Sequence, residues 1–156
     1  MSPRDGRAAA LARRDLLGAG AGLLAVALVR PAAATPDEMQ AAMRGLVGEA
    51  VPLPGKVKLE LPPLVENGNA VPVTVTVESP MTPEAYVRRI ALFNEKNPQP
   101  QVAVFHLGPR AGRAQVATRI RLADSQTITA VAELSDGTWW SDSAKAIVTL
   151  AACLEG

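Results

Sequence analysis

The chain contains one thiol, Cys153, and one imidazole, His106. A thiolate is a nucleophile and a metal ligand, and a histidine can act as its base, so these two residues bound the chemistry available. One of each is too few for a zinc finger, a blue-copper centre, a disulfide scaffold or an all-protein Cys/His cluster. No G-x-S-x-G elbow offers a serine nucleophile, and no G-x-x-x-x-G-K-[ST] loop offers a phosphate cradle. The carboxylates are scattered over turns and strand faces, with no spacing that marks an acid–base pair. No metal and no cofactor is implied.

His106 follows Val102-Ala103-Val104-Phe105 and alternates to the face opposite Phe105, where a half-buried structural role competes with that of a base. Cys153 lies beyond the last strand pattern, three residues before Gly156. Two readings of it stand open: an accessible thiol that attacks a sulfur compound or a disulfide, and an inert small residue packed at the rim. Trp139-Trp140 is the one aromatic concentration, and adjacent strand residues face opposite ways, one ring toward the core and the other toward solvent or a partner. Arg119 and Arg121 share a strand face, either to meet an anion or simply to be solvated.

Residues 1–34 read as an address. A basic stretch with Arg13-Arg14 precedes the apolar run Leu16–Val29, and Ala32-Ala33-Ala34 supplies an A-x-A-like cleavage site. The apolar run is shorter than the ~20 residues of a membrane-spanning helix, so export without a permanent anchor is expected. Twin arginines followed by Asp15-Leu16-Leu17 point to the twin-arginine route and a periplasmic destination. Five arginines and two aspartates fall in this segment, which leaves 11 basic and 13 acidic residues in the remainder. Such a nearly neutral body has no electrostatic footprint for nucleic acid.

The elements that must position the candidate residues follow from periodicity. Thr35-Pro36-Asp37-Glu38 is a capping box with proline at the first helical position, and Met39, Met43, Leu46 and Val47 recur at helical spacing up to Gly48. After Pro52-Leu53-Pro54-Gly55 the period becomes two. Strands are expected at 57–61, 71–77, 87–93, 102–107, 115–122, 127–134 and Ala144–Leu150, with turns at Glu66-Asn67-Gly68-Asn69 and Ser135-Asp136-Gly137. The second turn leads into Thr138-Trp139-Trp140. Pro72 must sit at an edge or early in its ladder, because it has no N–H to donate. Many short strands without intervening long helices favour an antiparallel β-sandwich over a βαβ fold. At 156 residues the chain holds one mature domain: a signal at 1–34, a sandwich with an N-terminal helix at 35–150, and a C-terminal arm at 151–156.

The stretch ENGNAVPVTVTVESPMT (66–82), together with 93–109, 118–140 and the twin-arginine signal, resembles the SoxY family, carrier subunits of periplasmic thiosulfate oxidation. The resemblance implies an immunoglobulin-like all-β sandwich that pairs as a heterodimer with a SoxZ-like subunit. It also implies a C-terminal swinging arm whose cysteine carries sulfur intermediates between separate enzymes. The arm of the family ends in Gly-Gly-Cys-Gly-Gly, and its cysteine falls on Cys153. Here Ala151 and Ala152 precede that position, while Leu154, Glu155 and Gly156 follow it. Alanine, leucine and glutamate restrict the backbone and add bulk relative to glycine. The carboxylates of Glu155 and of the terminus disfavour the thiolate.

The leading expectation is therefore a periplasmic, non-enzymatic carrier that holds a sulfur species on Cys153 for partner enzymes of sulfur-compound oxidation. The alternative is an interaction module that binds a SoxZ-like subunit or a dehydrogenase without covalent cargo. A thiol enzyme built from Cys153 and His106 is the third, and it requires the two side chains within about 3 Å.

Overall fold

The computed structural model describes residues 34–150. Residues 151–156, expected to form the arm and including Cys153, and residues 1–33, where the export signal is expected, lie outside the described part. Helix α1 spans Pro36–Val47. Its capping box forms as expected: the Thr35 amide donates to Glu38 Oε2 at 2.8 Å, and the Glu38 amide donates to Thr35 Oγ1 at 3.2 Å. Gly48, at φ +66°, ends the helix in a conformation that glycine adopts without strain.

Eight strands follow: β1 Val57–Glu60, β2 Leu64–Val65, β3 Val71–Val77, β4 Val87–Asn94, β5 Gln101–His106, β6 Gln115–Ile120, β7 Gln126–Leu134 and β8 Trp139–Val148. They form two sheets, β1-β3-β6 and β2-β8-β7-β4-β5. All pairs are antiparallel except β2 with β8. The alternation of valines in β3 buries Val71, Val73, Val75 and Val77 against Ile90, Leu92, Ile128, Ala130, Ala132 and Ala146 of the larger sheet. Small alanines on β7 and β8 face the branched residues of β3, which lets the two layers close on one another.

On its outer face the larger sheet carries a second apolar layer. Met39 and Val47 of α1 bury Ala91, Phe93, Val131 and Trp139. That cover lies over the β4 and β5 side, where the helix makes its sheet contacts. Among the described residues, no helix is long and apolar enough to cross a membrane.

Two features depart from the sequence pattern, while Pro72 meets its expectation by the second of its two routes. Pro72 lies in the central strand of the smaller sheet, yet its slot is an early one, because β1 ends at Glu60 opposite Thr74. The segments expected to begin at Trp139 and at Ala144 are one strand of ten residues. Ser141-Asp142-Ser143 reads locally as a turn, but the Asp142 carboxylate accepts from the Leu59 amide of the other sheet at 2.9 Å, and Ser143 bonds Thr129 across the ladder. The short strand β2 has no periodic signal at all. It runs beside β8 in register Leu64↔Ile147 and Val65↔Val148.

Candidate functional site

The candidate site is the root from which residues 151–156 depart. Here β8 leaves the sheet between β2 and the 122–126 loop, and almost every backbone group is bonded. The Ile147 amide donates to the Pro63 carbonyl at 2.9 Å, and the Thr149 amide to the Val65 carbonyl at 3.0 Å. From the other side the Val148 amide donates to Ser125 Oγ at 2.9 Å. The amide of Gly68 donates to the Leu150 carbonyl at 2.8 Å, while its own carbonyl accepts from the Leu122 amide at 2.8 Å. Gly68 is held in place by an Asx turn in which Asn67 Oδ1 accepts from the Asn69 amide at 2.9 Å. The Asn-Gly pair thus closes no tight hairpin. It serves as a clamp on the end of the last strand.

Asn97 forms the floor of this end of the sandwich. Its Oδ1 accepts from the Ala123 amide at 3.1 Å and from Gln126 Nε2 at 2.9 Å, and its Nδ2 donates to the Arg121 carbonyl at 2.7 Å. Gln126, itself buried, accepts from the Lys96 amide at 2.9 Å. The loop 94–97 is thereby stitched to the segment that carries Ser125. Lys96 closes the rim by pairing with Asp124 at 2.7 Å. The Lys96 hydrogen bond, then the Ser125 amide, holds the Asp124 carboxyl below the usual carboxylate range.

His106 is at the other end. The register aligns His106, Arg89, Glu133 and Trp139 in one row across β5, β4, β7 and β8. Arg89 donates to Glu133 and lies 5.2 Å from the Trp139 ring. From that row to Ala146, β8 advances roughly 23 Å, and three strand spacings add about 14 Å sideways. Cys153 is the third residue after Leu150, and three steps of extended chain carry its Cα at most ~11 Å. Cys153 and His106 of one chain therefore cannot meet on this sheet, and the paired thiol enzyme has no geometry.

The tryptophans face opposite ways, as alternation requires, and both are packed. Trp139 is buried under α1, whereas Trp140 enters the inter-sheet cluster with Lys56 Nζ 4.7 Å from its ring centroid. Arg119 and Arg121 are exposed. Among the described residues, no group of three or more His, Cys, Asp or Glu side chains is placed to hold a metal ion.

The described scaffold fixes the backbone at Ile147–Leu150, from which the rest of the chain departs, by hydrogen bonds on both sides. Neither Thr149, Ser125 nor Asn97 was singled out by sequence reasoning. The partners of their side chains here are 23 to 84 positions away in the chain, so no local pattern marks them.

Comparison with known proteins agrees with this reading of the fold. The chain is similar to the sulfur carrier protein SoxY of Chlorobium limicola f. thiosulfatophilum, with 25% identity and a TM-score of 0.62 over 74% of this chain and all of that one. It also resembles the superoxide reductase (neelaredoxin) of Ignicoccus hospitalis, at 19% identity and a TM-score of 0.54 over 74% of this chain and 94% of the other. The latter likeness is one of fold alone. A search of the curated proteins found no match. The family model for the sulfur oxidation protein SoxY matches residues 43–153, from the middle of α1 through the strands and the root to the cysteine, and the chain belongs to the SoxY family.

Proposed function

We propose that this protein is a periplasmic, non-enzymatic sulfur carrier. In this reading Cys153 holds a sulfur intermediate as a covalent adduct and presents it to partner enzymes of sulfur-compound oxidation. The observation that supports the reading is the family match, which covers residues 43–153 and so includes Cys153. The similarity to the Chlorobium protein, a sulfur carrier, supports the same role. The bonded root supports it physically: a carrier gains from a firm attachment behind a reachable thiol.

The chemistry on this chain is that of the thiolate, and the oxidation level of the donor decides whether an oxidant is needed. Loading from a disulfide-level donor forms one sulfur–sulfur bond and expels a thiolate, with no external oxidant. Coupling to a thiol-level donor releases two electrons and two protons, which a redox partner takes up. A SoxZ-like subunit as heterodimer partner and the twin-arginine export of residues 1–34 complete the proposal.

The test is intact-mass spectrometry of the protein isolated from its native periplasm, before and after reductant, with the C-terminal peptide mapped. A reductant-labile adduct on Cys153 that is absent from Cys153→Ser is the expected result. A Cys153 that carries nothing and resists alkylation in the folded protein would overturn the carrier role and leave an interaction module.

A further inference from the structure

Of the four asparagines, at 67, 69, 94 and 97, Asn67 is the one followed by glycine. A successor without a side chain leaves the next backbone nitrogen free to approach the asparagine side-chain carbonyl, the geometry of ring closure to a succinimide. Asn97 has no such nucleophile, because Pro98 follows it and brings no N–H. The surroundings of Asn67 add two further features. Asn67 is exposed, and its Oδ1 accepts from both the Asn69 amide at 2.9 Å and Asn69 Nδ2 at 3.0 Å. Two donors on one carbonyl oxygen polarise Asn67 Cγ and stabilise the oxyanion that forms when a nucleophile adds there. The nucleophile, the Gly68 nitrogen, is buried and committed elsewhere. Its N–H donates to the Leu150 carbonyl at 2.8 Å, while the Gly68 carbonyl accepts from the Leu122 amide at 2.8 Å. Activation and restraint thus meet in one dipeptide.

We propose that Asn67 is a self-modification site, which converts to aspartate and isoaspartate when the Leu150 carbonyl lets go of the Gly68 amide. The Gly68 nitrogen bonds to Asn67 Cγ, the bond from Cγ to the side-chain nitrogen breaks, and ammonia leaves with the proton of the Gly68 amide. Water then opens the ring at either carbonyl and gives the two acids, with no electrons transferred. The clamp and the modification exclude one another. While the Leu150 bond stands, the peptide plane of Gly68 is fixed with its N–H directed at the end of the last strand. Once the ring closes, the imide nitrogen has no proton to donate, and Leu150 loses its partner. Isoaspartate routes the main chain through an extra methylene, which displaces Gly68, and either acid adds a carboxylate beside the exposed Glu66. Release of the strand end is thereby made permanent by the chemistry it admits. The rate follows the population in which this end is locally open.

The Asp136-Gly137 turn supplies a contrast within the same chain. Asp136 Oδ1 also accepts twice, from the Thr138 amide at 2.9 Å and from Thr138 Oγ1 at 2.7 Å. Those bonds, the hydroxyl's first, hold its carboxyl below the usual carboxylate range, and an ionised carboxylate resists attack.

The experiment stores purified wild type, Ser125→Ala and Asn69→Ala in mildly alkaline buffer, which promotes loss of the amide proton. The peptide that contains position 67 is followed by mass and by elution, which separates aspartate from isoaspartate. Ser125→Ala removes the hydroxyl that anchors the Val148 amide, loosens the strand end, and is expected to speed conversion about fivefold. Asn69→Ala keeps the amide donor, removes the Nδ2 donor, and is expected to slow conversion by about the same factor. Positions 94, 97 and 136 stay unconverted in all three forms. In the converted fraction of wild type, separated by charge, hydrogen exchange at Thr149 is expected to be faster than in the unconverted fraction. Equal rates in wild type and Ser125→Ala would overturn the gate, and an unchanged rate in Asn69→Ala would overturn the part played by the second donor. A position 67 that converts in no form, or no faster than position 94, would overturn the site itself. If Ser125→Ala lowers the melting temperature, Thr149→Val, which removes the hydroxyl's bonds to the Val65 and Glu66 carbonyls, is read by the same criteria.

Discussion

The amide of Gly68 and the carbonyl of Leu150 are joined at 2.8 Å, so a turn in the first half of the chain holds its last described residue. The Asn-Gly sequence is strongly suggestive of a hairpin, yet β1 and β3 are separated by an excursion to the other sheet, and the turn between them works as a clamp. Positioning of the C-terminal segment is thus a tertiary property of residues 65–68, 122–126 and 147–150.

Ser125 tests that clamp. Its hydroxyl accepts from the Val148 amide at 2.9 Å, and Ser125→Ala leaves this donor without its partner. A loss of about 1–2 kcal/mol is expected in urea unfolding, with the slope unchanged. Hydrogen exchange at Val148 should accelerate more than exchange in β7.

Asn97 tests the floor beneath it. Asn97→Ala removes one donor and one acceptor that serve three partners: Arg121, Ala123 and Gln126. An expected cost of about 2–4 kcal/mol, measured as a shifted urea midpoint, exceeds that of any exposed polar substitution.

Acid should weaken the fold in a defined window. Asp124 is held low by Lys96 and Ser125, and Asp136 is held low by the hydroxyl and amide of Thr138. Both carboxyls have a folded value below the unfolded one, so their contribution is complete above the unfolded value and is lost as pH falls through the folded one. Stability is therefore expected to decline from about pH 5 downward, and Asp124→Asn with Asp136→Asn should flatten that decline. Unfolding curves at stepped pH between neutral and strongly acidic buffer give the answer.

His106 should be silent in thiol chemistry. The row that contains it lies at the opposite end of the larger sheet from Ala146, beyond the reach of a three-residue tether. His106→Ala is expected to leave the alkylation rate of Cys153 and its pH profile unchanged. A slowed rate would mean that the imidazole reaches the thiol by a route this sheet does not provide.

Much of the fold was legible because its determinants are local. Thr35 and Glu38 announce the helix start within four residues, the valines of β3 announce a half-buried strand, and Asp136-Gly137 forms the hairpin turn with Gly137 at φ +84°. Elements decided by distant partners were not legible. Ser141-Asp142-Ser143 stays extended because Leu59 and Thr129 supply partners, and β2 exists because β8 lies beside it. Cys153 could be singled out by its solitude, whereas the residues that fix its point of departure carry no signature of their own.

The place of β8 in the sheet has a mechanical corollary. This strand runs between β2 and β7, parallel to one and antiparallel to the other. Tension applied along the chain beyond Leu150 pulls β8 lengthwise, so its ladder rungs are loaded together in shear rather than unzipped one at a time. A pull on the chain beyond Leu150 therefore works against the ladders on both sides of β8.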